Sequence, residues 1–149
     1  VGIRHLGREI ALKALYQLDV SGNVDPGQAL ALFFSNFPAD PRACEFARVL
    51  IRGTLAERDN LDRYIEQVLE NWSVYRLSRI DHNILRMALY ELLYMSDIPA
   101  RVTIDEAIEL AKRYGDTDSG PFVNGVLDRL ATVLGLKHKG EEHGADEPK

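Results

Sequence analysis

Apolar residues in this chain recur three and four positions apart, segment after segment, and almost nowhere alternate with polar ones. That spacing lines one face of a helix and argues against half-buried strands. Ile10, Ala11, Ala14, Leu15 and Leu18 form such a stripe over Arg8 to Asp19. Ser21 to Gly27 breaks it, and Asp25-Pro26 then offers an N-cap and a first-turn proline for a short helix through about Ser35. Asp40-Pro41 repeats the start signal ahead of a long stretch in which Phe46, Val49, Leu50 and Gly53 are expected to face inward. Asp59 or Asn60 is expected to recap the chain before Leu61, Ile65, Val68 and Leu69, and Trp72 stands at the join to the next element.

Arg79 to Met95 carries Ile80, Ile84, Leu85, Ala88, Leu89 and Leu92, a broad apolar face suited to a central helix that Pro99 ends. Thr103 and Glu106 have the spacing of a capping box, with Ile104, Ala107, Ile108 and Ala111 facing the core until Gly115 stops the helix. After the loop Asp116 to Gly120, a last helix is expected from about Phe122 to Leu134, stopping at Gly135. The expectation is an all-α fold: a single compact bundle of about seven helices, forming one domain over residues 1–136. Residues 137–149 are polar, rich in Glu, Gly and Lys, and are expected to be a disordered tail.

Several chemistries find no support. A net charge of −5 does not draw the whole body to nucleic acid, so any RNA site has to be a local basic patch. Cys44 stands alone, which leaves no internal disulfide and no multi-cysteine metal cage; it reads as a small buried hydrophobe. No apolar run approaches the roughly 20 residues that span a bilayer, and the first residues lead straight into an amphipathic pattern rather than a signal peptide. His5, His82, His138 and His143 are scattered, and His82 reads as a helix-surface residue rather than a zinc ligand. The loop DTDSG starts like a calcium loop, but its glycine comes early and Leu127 takes the place of the bidentate glutamate. SGPFVNG lacks the lysine of a phosphate loop, and no nucleophile elbow is present. The expectation is a protein without catalysis, metal or cofactor.

The nucleic-acid reading starts at the N-terminus. Arg4, His5 and Arg8, with Lys13, bring positive charge to the first helix, and Tyr16 lies two turns beyond Arg8. Guanidinium groups bind phosphates, and an aromatic ring gives an unstacked base a surface to lie on. The alternative is a set of solvated arginines partly offset by Glu9. A second cluster, Tyr114, Asp118, Phe122 and Asn124, flanks a turn whose backbone N–H groups can meet phosphate. Its alternative makes Phe122 core and Asn124 a cap or packing polar. Arg86 sits within an apolar stripe, so an internal pair with an acid such as Asp128 is expected.

Three strings go further. REIALKALYQLD, DHNILRMALYEL and the pair TIDEAIELAKRYG and SGPFVNGVLDRLA resemble the successive signature segments of the NusB family in order and spacing. The resemblance covers nearly the whole chain up to about Leu136, and Leu32 to Asn71 share only the helical pattern. It implies an all-α fold, no catalysis, a cytoplasmic setting, and a role in transcription antitermination. Its members bind boxA-type single-stranded RNA as a heterodimer with a small-subunit ribosomal protein, NusE, and help RNA polymerase pass terminators in ribosomal RNA operons. By residue, the family's basic start falls on Arg4, His5 and Arg8, and its RNA-facing tyrosine on Tyr16. The aromatic before the loop falls on Tyr114, the loop acid on Asp118, and the FVNG residues on Phe122 and Asn124. The acidic position used towards NusE falls on Asp81, with Arg79 beside it. Leu6 and Gly7 interrupt the basic run, and Pro121 stands where a basic residue can occur, so RNA binding is expected to lean on the protein partner. Two other readings share the resemblance: the NusB-like domain of an rRNA cytosine methyltransferase, and a homodimer with a masked RNA surface.

Overall fold

The computed structural model describes residues 2–22, 25–36, 39–70 and 77–141, so Trp72 lies outside the described residues. Seven α-helices and no strand occur among them. Contacts divide the chain into two compact units, Val1–Ala56 and Glu57–Lys149.

The first unit holds α1 (Ile3–Ser21), α2 (Pro26–Ser35) and α3 (Pro41–Ala56). α1 begins at Ile3, ahead of the Arg8 start read from the stripe, because the Gly2 carbonyl already accepts the Leu6 N–H at 3.1 Å. The two Asp-Pro starts behave differently. Asp25 takes the N-cap place without a side-chain cap bond, whereas Asp40 Oδ1 accepts the Arg42 N–H at 2.8 Å. The Arg42 guanidinium also donates to Asp40, and these bonds hold the Asp40 carboxyl below the usual carboxylate range. α3 packs on α1 through Ala43, Cys44, Ala47, Leu50, Ile51 and Thr54. Of the four residues expected to face inward, only Leu50 does so fully; Phe46 and Gly53 are half-buried and Val49 is exposed. Small side chains at Ala43, Cys44 and Ala47 form the contact stripe, and this turns the larger residues towards its edge.

The second unit holds α4 (Arg58–Leu69), α5 (Arg79–Tyr94), α6 (Ala100–Tyr114) and α7 (Ser119–Val133), with α5 packed against the other three. Glu57 takes the N-cap place of α4 without a side-chain cap bond, ahead of the Asp59 or Asn60 cap expected. Ser78 Oγ accepts the Asp81 N–H at 3.1 Å and opens α5. Asp81, Arg86 and Glu91 are buried on that helix, and each draws on a neighbour. Arg86 reaches Asp62 of α4, with Nε donating to Oδ1 at 2.8 Å and Nη2 to Oδ2 at 2.9 Å. The expected pair with Asp128 is not formed: Asp128 is exposed and lies 3.6 Å from Lys137 Nζ. His82, one turn before Arg86, meets the same Asp62 Oδ1 at 2.8 Å, so it is half-buried and partnered rather than a plain surface residue. Burial alone pushes the Asp62 carboxyl up; Arg86 and His82 overcome it and hold the group below the usual carboxylate range.

Thr103 and Glu106 do not form a capping box. Pro99 already stands at the N-cap of α6, which leaves Thr103 inside the helix, where its hydroxyl donates to Glu91 Oε1 at 2.7 Å. α7 begins at Ser119 rather than Phe122, because the Ser119 hydroxyl accepts the Asp116 N–H at 3.1 Å and closes the turn early. At its far end Gly135 has φ 71°, and the N–H groups of Gly135 and Leu136 reach back to the carbonyls of Thr132 and Ala131 at 3.2 and 2.7 Å. The chain then turns onto α5. Lys139 Nζ donates to the Glu91 carbonyl at 2.8 Å, and the Lys139 carbonyl accepts the Ala100 N–H at 3.0 Å. The described fold therefore continues past the Leu136 boundary to Glu141.

Replacing Asp62 leaves the buried Arg86 guanidinium without its carboxylate, so Asp62→Asn is expected to cost about 3 kcal/mol in urea unfolding at neutral pH. A carboxyl with a depressed folded-state pKa stabilises above its ordinary unfolded value, and that contribution is lost as pH falls through the folded one. The gap between Asp62→Asn and the parent should therefore narrow below about pH 4. A pH-independent gap would show that the pair is not what the substitution removes.

Candidate nucleic-acid interface

Within the first unit, Arg4 and Arg8 share one ring. Each Cζ lies 5.4 Å from the centroid of Phe46 on α3. A guanidinium over an aromatic face is attracted by the ring quadrupole, which fixes the long side chains at little entropic cost. Arg4 is exposed and can meet a ligand; Arg8 is only 4% exposed and lies beneath the surface. His5 is half-buried, with Nε2 3.9 Å from Glu9 Oε2. Gly7 explains why the basic run is interrupted. A Cβ there would stand 2.7 Å from Phe46 Cδ2 and 3.0 Å from the Ala43 carbonyl, closer than packed atoms come. Further along α1, Lys13 and Gln17 are exposed beside Tyr16, whose ring is 39% exposed. Phe46 is the member of this group that sequence reasoning took for plain core.

In the second unit, Tyr114 ends α6 half-buried, with the Arg113 guanidinium 5.5 Å from its ring centroid. Asp118 is exposed at the N-cap of α7, its N–H donating to Asp116 Oδ1 at 3.0 Å, and Asn124 is exposed. Phe122 is only 5% exposed and belongs to the core with Val123, Val126 and Leu127. It offers no face to a base in this structure, so the core alternative describes it. Lys112 and Arg113 are exposed at the end of α6, and they were not singled out although both stand in the quoted segment. Arg79 is exposed at the start of α5, whereas Asp81 is fully buried and reaches no partner surface directly.

The accessible set is cationic, aromatic and amide in character, with one carboxylate: Arg4, Lys13 and Tyr16 in one unit, Lys112, Arg113, Asn124 and the acid Asp118 in the other. Such groups can neutralise phosphates, stack on bases and read base edges. Among the described residues no group of three or more His, Cys, Asp or Glu could hold a metal ion, and no helix is long and apolar enough to cross a membrane.

The sequence model of the NusB family matches residues 5–132. Over 142 residues the chain is 42% identical to a transcription antitermination protein NusB of Desulfatibacillum aliphaticivorans, covering 95% of this chain and 99% of that protein. Its fold is similar to the solved structure of T. maritima NusB, with a TM-score of 0.80 and 44% identity over 96% of this chain and 97% of that one. It is also similar to a chain in a crystal structure of antitermination factors NusB and NusE in complex with dsRNA, with a TM-score of 0.74 and 26% identity over 88% of this chain and 97% of that one.

The burial pattern separates supporting residues from accessible ones before any ligand is added. Phe122→Ala should cost about 3–5 kcal/mol of folding stability, as for other buried phenylalanines. Gly7→Ala should cost about 1–3 kcal/mol through the crowding at Phe46 and Ala43. Tyr16→Ala should stay within about 0.5 kcal/mol of the parent, since an exposed ring fills no cavity. Thermal or urea unfolding of the three variants checks the order, and a Tyr16→Ala loss as large as that of Phe122→Ala would make Tyr16 a core residue.

Proposed function

The chain belongs to the NusB family, and from that premise we propose that it is a transcription antitermination factor that binds boxA-type RNA as a heterodimer with the small-subunit ribosomal protein NusE. The observation that carries this reading is the likeness, over nearly the full chain, to a protein solved together with NusE and RNA. The factor acts by binding rather than by catalysis. It supports RNA polymerase through terminators in ribosomal RNA operons, and its setting is the cytoplasm, where transcription takes place.

On this reading Arg4 and Lys13 meet phosphates, and Tyr16 lies against an unstacked base. Arg8 and His5 do not reach the RNA backbone themselves; Arg8 lies buried against the same Phe46 ring as Arg4. In the second unit Asn124 and Asp118 offer an amide and a carboxylate to base edges and ribose hydroxyls, beside the half-buried ring of Tyr114. Phe122 positions the start of α7 from the core. Arg79 faces NusE, and behind it the Ser78 hydroxyl accepts the N–H of the buried Asp81 and holds the first turn of α5 in place. Few cations on a body of net charge −5 make a thin electrostatic patch. NusE completes the RNA surface and lifts the affinity.

Titrating boxA-type RNA onto the chain with and without purified NusE tests the reading: tighter binding with NusE is expected, and equal affinity would overturn it. Running single- and double-stranded forms side by side identifies the form bound, with the single strand expected to win. For two phosphate contacts log affinity should fall against log salt with a slope of roughly −1.4, taking about −0.7 for each. Arg4→Ala should flatten that slope by about 0.7, whereas Arg8→Ala should lower the melting temperature more than it changes the slope. Tyr16→Ala should lose about 1–3 kcal/mol of RNA binding. An unchanged slope in Arg4→Ala would remove Arg4 from the interface.

A further inference from the structure

α2 is a helix without a buried residue. Its sequence, PGQALALFFS, contains no charged side chain in a chain whose residues are 28% charged, and Leu32 is 65% exposed. α2 packs on α1, where Leu30 and Phe33 line a small cleft with Ala14 and Leu18. It also borders an open groove of about 500 Å³ between α2 and α3. Leu30, Ala31, Phe34 and Ile51 supply an apolar lining, and Arg48 and Arg52, one turn apart on α3, stand along it. The Arg48 guanidinium lies 4.3 Å from the Phe34 ring centroid, and its nearest recorded acid, Glu45, is 4.0 Å away at the edge of ion pairing. Arg52 is exposed and makes no ion pair among the described residues. None of the residues assigned above to RNA or to NusE lines this groove.

We infer that the α2–α3 groove is a docking surface for a protein segment bearing adjacent apolar and acidic side chains. An exposed apolar patch rimmed by charge is the usual form of an interaction site. The lining favours aliphatic or aromatic side chains, and the two arginines offer bidentate partners to carboxylates just beyond them. Two other occupants fit less well. A second copy placing α2 against α2 brings no carboxylate, so the arginines of both copies would crowd one another. An RNA strand would find only one ring, and Arg48 already covers one of its faces.

The test uses the full chain and a short labelled peptide with a leucine and a phenylalanine one helical turn apart, followed by paired glutamates. A matched peptide with lysines for the glutamates serves as the control. Amide chemical shifts should move at Leu30, Ala31, Phe34, Ile51 and Arg52 with the acidic peptide and stay in place with the basic one. Ala31→Glu and Arg52→Glu alter exposed positions that line the groove and should keep the parent's melting temperature. Each should weaken the acidic peptide roughly tenfold, and Arg52→Glu should gain affinity for the basic peptide. The inference is overturned if saturating acidic peptide leaves these residues unmoved, or if both peptides bind alike. It is also overturned if RNA rather than the peptide shifts these residues, or if Ala31→Glu acts by dissolving a homodimer in gel filtration.

Discussion

A helix packed on several sides can carry ionisable side chains only if neighbours meet them, and α5 carries Asp81, Arg86 and Glu91 out of water. That demand organises the second unit. α4 answers Arg86 with Asp62, and α6 answers Glu91 with the Thr103 hydroxyl. The turn after α7 adds a lysine to the backbone carbonyl of the same Glu91. Apolar packing alone would let these helices slide along one another at modest cost. Directional bonds between buried polar groups fix how far along each helix the contacts fall.

The helical character of the chain was legible because its apolar spacing follows one period throughout. Breaks at Ser21 to Gly27 and at Gly115 and Gly135 were legible for a similar reason, since proline and glycine act within a residue or two of where they stand. Partner choice was not. Asp62 is 24 positions from Arg86 in sequence, and Asp128 would satisfy the same charge rule; only the crossing of α4 over α5 selects between them. Helix starts failed where two signals competed. Pro99 outranks Thr103 because it ends one segment and presets the next, leaving the threonine for a tertiary bond.

The candidate interface shows the same division. The family resemblance points alike to Arg4, Arg8, Tyr16 and Phe122 as RNA-facing, yet depth separates them into two kinds. Arg8 and Phe122 look from sequence as able to reach a ligand as Arg4 and Tyr16 do, and their burial depends on residues far along the chain. Gly7 had seemed only a gap in a run of positive charge. It is a place where α3 leaves no room for a Cβ on α1, and the ring beside both arginines rests there. A side chain at this position would crowd the ring against which both arginines lie.

The bond from Lys139 to Glu91 spans 48 positions of sequence. A ribosome delivers the chain from its N-terminus, so α5 emerges long before the lysine that will lie across it. Until then Glu91 and the first turn of α6 lack one of their anchors, and the second unit can hold only a looser form. The packing of α1, α2 and α3 on one another joins residues within Val1–Ala56 and can form before that lysine is made. Synthesis thus favours an order in which the helices bearing Arg4 and Tyr16 settle early, and the remainder locks once its last turn has cleared the exit tunnel.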